Sequence, residues 1–178
     1  GIGAEVHGIM AFGTYIEISN NTIKNLNAGT DHEAIYIKGS HSKIINNIVE
    51  NCGSGFGGAD ICIKGTEQLN NVISGNIVKS NKPGRGMLLA TGDSIVENNY
   101  IEKTDGAAGI QVYALGMSVQ VKSNHVVTKA NSISLYDVVG GHISDNDLIS
   151  YEGKTIKIND SKNVEMTNNK ECIGFDCQ

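Results

Sequence analysis

Two short segments carry most of the residues able to do chemistry. EAIYIK at 33–38 gathers Glu33, Tyr36 and Lys38, and ADICIK at 59–64 adds Asp60 and Lys64. Arg85, Gln111, Tyr113 and Tyr136 follow in RGMLLA, GIQVY and SISLY, which share the same apolar–polar alternation. Lysine or arginine can neutralise a carboxylate, a lysine without its proton can take hydrogen from carbon, and a tyrosine hydroxyl can protonate a leaving group. Those steps suit an acidic polysaccharide. On this reading Lys38, Lys64, Arg85 and Tyr36 are catalytic, while Glu33, Asp60, Gln111, Tyr113 and Tyr136 contact the substrate, the tyrosines as a stacking platform. The same residue types are also ordinary on an exposed strand, where they keep it soluble and protect its edge.

What must position these residues is a repeat. ISNNTI at 18 returns as IINNIV, ISGNIV, VENNYI, VKSNHV, ISDNDL and MTNNKE, aligned on Asn21, Asn47, Asn76, Asn99, Asn124, Asn146 and Asn169. Successive copies are 26, 29, 23, 25, 22 and 23 residues apart. Upstream of each lies a short period-two strand: GIMAF, AIYIK, DICIK, GMLLA, GIQVY, SISLY and TIKIN. Its inward positions are predicted as Ile9, Ile35, Ile61, Met87, Ile110, Ile133 and Ile156, with Ile37, Ile63, Leu89, Val112, Leu135 and Ile158 two residues later.

A unit of two or three such strands cannot bury its apolar side alone, whereas stacked copies about 4.8 Å apart share a continuous core. Equivalent residues then form columns. Asparagine at a fixed corner can hydrogen-bond its amide to the next copy and tolerates the left-handed backbone of a tight bend. One outward column is predicted as Met10, Tyr36, Cys62, Leu88, Gln111, Ser134 and Lys157, its neighbour as Phe12, Lys38, Lys64, Ala90, Tyr113, Tyr136 and Asn159. Lys38 would thus stand beside Lys64, Tyr36 near Asp60 and Tyr113 beside Tyr136; two such lysines repel one another, which favours leaving one neutral as a base.

Composition agrees. The 178 residues suit one domain, and 22 glycines, one proline and no tryptophan favour strands joined by turns over a core built on aromatics. A net charge of −5 with no basic block argues against a nucleic-acid partner. No apolar run approaches the roughly 20 residues of a membrane span, and GIGAEVHG lacks the pattern of a signal peptide. Cys52 with Cys62 and Cys172 with Cys177 are close enough in sequence for disulfides, but buried free thiols fit equally. His7, His32, His41, His125 and His142 fall at different repeat positions, which argues against a shared metal site.

The pattern [Ile/Val]-x-x-Asn-x-[Ile/Val], once per coil over residues 8–171, resembles the right-handed parallel β-helix of the pectin-lyase-like superfamily, which includes pectate, alginate and chondroitin lyases, epimerases and phage tailspikes. A leucine-rich repeat of similar period would need many more leucines. The resemblance implies an all-β right-handed parallel β-helix of about seven coils over residues 1–171, with 172–178 as a tail or cap. Such proteins usually have more coils and an N-terminal helical cap, so the chain is expected to be a fragment of a longer protein or part of an assembly. EAIYIKGS followed by ICIKG is similar to the Glu-x-Ile-x-x-Lys-Ser pattern and basic coil of alginate and chondroitin lyases. That implies Lys38 as base and Glu33 as a metal ligand or site-shaping carboxylate, although Lys64 stands where arginine is usual.

An inverting hydrolase would need paired aspartates on adjacent coils, and Gly86 and Met87 stand where a partner for Asp60 belongs. Calcium would have only Glu33 and Asp60 to hold it, so no cofactor is expected. Three functions remain open: an extracellular or virion-surface module of tailspike type that recognises a polysaccharide and assembles as a homotrimer, a polysaccharide lyase or epimerase, and a structural solenoid without ligand.

Overall fold

Residues 7–26, 33–52, 61–66 and 69–177 are described by the structure, a computed structural model. Asp60 and His32 lie outside them. Each repeat is one rung of three strands, and equivalent strands of successive rungs pair in parallel to give three seven-stranded sheets. The first rung runs Ile9–Phe12, Glu17–Ser19 and Thr22–Lys24, and the seventh Ile156–Asn159, Glu165–Thr167 and Lys170–Ile173. This is a parallel β-helix.

Period-two alternation in strands so short leaves one or two inward side chains per strand per rung. Ile35, Ile63, Met87, Ile110 and Ile133 form one inward column of the first sheet, all fully buried. Ile44, Ile73, Val96, Val121 and Ile143 do the same in the second sheet, and Val49, Val78, Ile101, Val126 and Leu148 in the third. Each contributes about 1.5–3 kcal/mol of burial, so the core is long and narrow rather than thick.

Two different residues do the work of each asparagine doublet. The first takes the left-handed bend: Asn20, Asn46, Gly75, Asn98, Ser123, Asp145 and Asn168 have φ between 54° and 66°. The second builds the ladder. Asn76, for example, donates from both its backbone N and Nδ2 to Asn99 Oδ1 (2.9 and 3.0 Å), and its Nδ2 also reaches the Ile44 carbonyl at 2.8 Å. The ladder is continuous from Asn21 to Asn169, and Asn47, Asn76, Asn99, Asn124 and Asn146 are buried within it. A buried amide is tolerable because its donors and acceptor all find partners.

The third rung departs from the predicted register by two residues. Ile35 pairs with Ile63, Tyr36 with Lys64 and Lys38 with Thr66, so Lys64 does not stand beside Lys38. Ile63 takes the inward place assigned to Ile61, and Gly65 the place assigned to Ile63. The Cys52–Cys62 disulfide, with Cα atoms 5.4 Å apart, agrees with this register. It places Cys62 at the corner end of the strand, within reach of Cys52, instead of in the middle of the outer face. Cys172 and Cys177 form the second disulfide, so none of the four cysteines is free.

Candidate functional site

The outer face of the first sheet carries two clusters. The first is built on rungs one to three. Glu33 opens its strand at the corner, where its carboxylate is almost completely buried. Lys64 Nζ lies 2.6 Å from Glu33 Oε1, and His7 Nδ1 2.7 Å from Oε2. Burying a carboxylate demands such partners, since an uncompensated charge there would cost several kcal/mol. The Lys64 ammonium also sits 4.7 Å from the centre of the Tyr36 ring, a cation–π distance. Tyr36 OH is 3.1 Å from Thr66 Oγ1, and Phe12 meets the Tyr36 ring edge-on at 6.0 Å.

The second cluster spans rungs four to six. Arg85 Nε donates to Gln111 Oε1, and Gln111 Nε2 donates to Tyr113 OH at 2.7 Å. Gln111 is buried beneath this chain, which fixes both ends of its amide. Tyr113 pairs with Tyr136, and their rings stack with centroids 4.6 Å apart and planes 20° from parallel. In-register rungs impose that spacing. The ring faces turned to each other are closed to a ligand, so the pair offers its edges and hydroxyls in addition to its outer faces.

Eight of the nine predicted site residues therefore fall on this face or its rim, in two groups. Leu88 and Ala90 separate them, continuing the columns of Lys64 and Thr66. Tyr113 stands beside Tyr136 as the repeat predicted. Lys38 and Lys64 are not neighbours in one column, and Lys64 is bound to Glu33, so repulsion between the two lysines does not free one of them to act as a base. Asp60, the ninth, lies outside the described residues. His7 and Thr66 were not singled out as site residues by the sequence reading. His7 could have been found, since it precedes Glu33 by 26 residues, the same step as Asn21 to Asn47.

Among the described residues no group of three or more His, Cys, Asp or Glu side chains is arranged to hold a metal ion. Two further histidines pair with carboxylates one rung on: His125 Nδ1 is 2.9 Å from Asp147 Oδ2, and His142 Nδ1 is 3.5 Å from Glu165 Oε2. Neither lies on the first sheet.

Residues 6–170 match the family described as right handed beta helix region. The chain belongs to the right-handed β-helix family. The match runs from before the first rung to the opening residue of the last strand, so it identifies the scaffold of this β-helix protein and assigns no reaction to it. Comparison with curated proteins returns no match, and comparison with solved structures returns none. No helix among the described residues is long and apolar enough to cross a membrane.

Proposed function

We propose that this β-helix protein recognises an extracellular polysaccharide on the outer face of its first sheet, as a module of a tailspike-like or other surface appendage. The observation that carries the reading is the Arg85–Gln111–Tyr113 hydrogen-bond chain ending against the Tyr113–Tyr136 stack. Gln111 accepts from Arg85 and donates to the Tyr113 oxygen, which leaves the phenol proton available for an acceptor on a ligand. Preoriented planar polar groups beside aromatic edges suit sugar hydroxyls and carboxylates. Lys38 and Lys157 stand on the same face and favour acidic sugars. A location outside the cell or on a virion surface belongs to the same reading, supported by two disulfides, which persist in oxidising surroundings. Assembly as a homotrimer is a further part of it, and light scattering on the purified protein measures that directly.

Glycan-array screening followed by calorimetry with the best acidic polysaccharide tests the reading. Saturable binding is expected, with loss of about tenfold or more in affinity on Gln111→Ala or Tyr113→Ala, the scale of one or two hydrogen bonds. Absence of binding across acidic and neutral glycans, or binding indifferent to both variants, would remove it.

A further inference from the structure

The corner between the third sheet and the first carries a line of depressions that the first-sheet face does not use. One of about 320 Å³ is lined by Asn25, Asn51, Asn81 and Lys82. It shares Asn51 and Asn81 with a second of about 300 Å³, which extends to Glu102 and Thr104. A third, of about 270 Å³, begins at Asp105 and runs past Asn131 to Gly153. Together they follow the turns of rungs one to six, a span of roughly 24 Å at about 4.8 Å per rung. We propose that this corner is a second polysaccharide-binding trough, distinct from the first-sheet face, and that its ligand is an uncharged, hydroxyl-rich glycan lying along the solenoid axis.

Charge decides the class of ligand. Among the described residues three pairs of opposite charge stand one rung apart along the trough, Lys24 with Glu50 at 2.9 Å, Lys79 with Glu102 at 3.8 Å and Lys129 with Glu152 at 3.9 Å, and Lys82 and Asp105, which also line it, are of opposite sign. Paired charges present donors and acceptors side by side with little net field, so a polyanion gains no attraction there. A sugar hydroxyl, which both donates and accepts, matches such a surface. The amides point the same way. Asn51 Nδ2 donates to Asn25 Oδ1 at 3.0 Å in an exposed single step with no burial to satisfy. Its remaining hydrogen-bonding capacity faces solvent at rung intervals, close to the advance of one pyranose ring in an extended chain. Tyr100 adds an aromatic flank, its hydroxyl donating to Glu102 Oε2 at 3.1 Å while Lys79 Nζ lies 5.1 Å from the ring centre.

Affinity gel electrophoresis with hydroxyethyl cellulose, galactomannan or dextran cast in the gel is the test. At least one of these neutral polymers should retard the protein, and added salt should leave the retardation unchanged. The double variant Asn51→Gly/Asn81→Ala should weaken it about tenfold. Glycine keeps the left-handed backbone of Asn51, whose φ is 53°. Circular dichroism of that variant should match the parent, and Lys79→Ala/Glu102→Ala provides an independent second disruption of the trough. Tyr113→Ala should leave neutral-polymer binding intact, which separates this trough from the first-sheet site. The proposal is overturned if no neutral polymer retards the protein. It is equally overturned if only polyanions do, or if retardation is lost in Tyr113→Ala and kept in both trough variants.

Discussion

The asparagine ladder makes a quantitative prediction at its centre. Asn99 Oδ1 accepts from the backbone N and Nδ2 of Asn76, while its own Nδ2 donates to the Ile73 carbonyl and to Asn124 Oδ1, all at 2.9–3.0 Å. Asn99→Ala strips the Asn76 N–H of its acceptor and the Ile73 carbonyl of its side-chain donor in a buried corner. At about 1–3 kcal/mol for each group left unsatisfied, the loss comes to roughly 2–6 kcal/mol, a large share of the roughly 5–15 kcal/mol that holds most domains folded.

Asn99→Asp is the sharper probe, because it keeps the shape and the acceptor for Asn76. It replaces the donor with a second oxygen facing two acceptors. It should therefore destabilise at least as much as alanine, and lowering the pH should relieve it as the introduced carboxyl takes up a proton. Asn169→Asp, in the half-buried last rung, keeps both bonds from Asn146 and loses only the one to Ile143. It should cost about 1 kcal/mol. Guanidinium unfolding followed by circular dichroism measures the three. Equal losses at Asn99→Asp and Asn169→Asp, or a loss at Asn99→Ala below about 0.5 kcal/mol, would refute the claim that ladder amides are satisfied by their neighbours and costly to orphan.

Other predictions concern the glycines, the first cluster and a tyrosine. A Cβ at Gly65 would meet only Ile73 Cδ1, at 3.8 Å, beside a small void, so Gly65→Ala should raise stability by about 1 kcal/mol in the same unfolding assay. At Gly39 a Cβ would fall 1.6 Å from the Gly13 carbonyl oxygen; Gly39→Ala should instead lower stability by about 1–3 kcal/mol. Glu33→Leu should destabilise more than Glu33→Gln, since the glutamine oxygen keeps an acceptor for Lys64 where leucine keeps none, and paired denaturation midpoints compare them. Burial, then the nearby Glu102 carboxylate, raises the Tyr100 phenol above its usual value of 10.0. Its folded-state contribution is therefore complete below that pH and fades as alkali titrates the phenol, so ultraviolet titration should show a late-ionising component that Tyr100→Phe removes.

Much of the scaffold was legible because its physics repeats. Asn21 through Asn169 recur at rung intervals because each must meet the next, and the buried isoleucines recur because each fills the same place in a narrow core. The third rung was harder to read because local likeness competed with spacing. ICIKG matches the end of AIYIKG, which aligns Lys64 with Lys38, whereas the ladder measures 15 residues from Ile61 to Asn76 against 12–14 in every other rung. Counting from Ile63 makes it 13, and the structure takes that choice. In the Glu33 clasp the 26-residue step sets His7 beside Glu33, but the clasp forms at a corner, where strand alternation no longer says which way a side chain faces. The Arg85–Gln111–Tyr113 chain was hidden too, because diagonal contacts between columns depend on rotamers that a periodic pattern does not encode.

The direction of the ladder has an engineering consequence. Every asparagine between the first and the last donates to its successor the same pair of hydrogen bonds that it accepts from its predecessor. A whole interior turn spliced in or cut out at matching corners would leave both cut ends with their usual mates. The molecule is thus a length gauge graduated in single turns, whereas trimming one residue inside a strand would reverse the facing of the side chains beyond it in that strand.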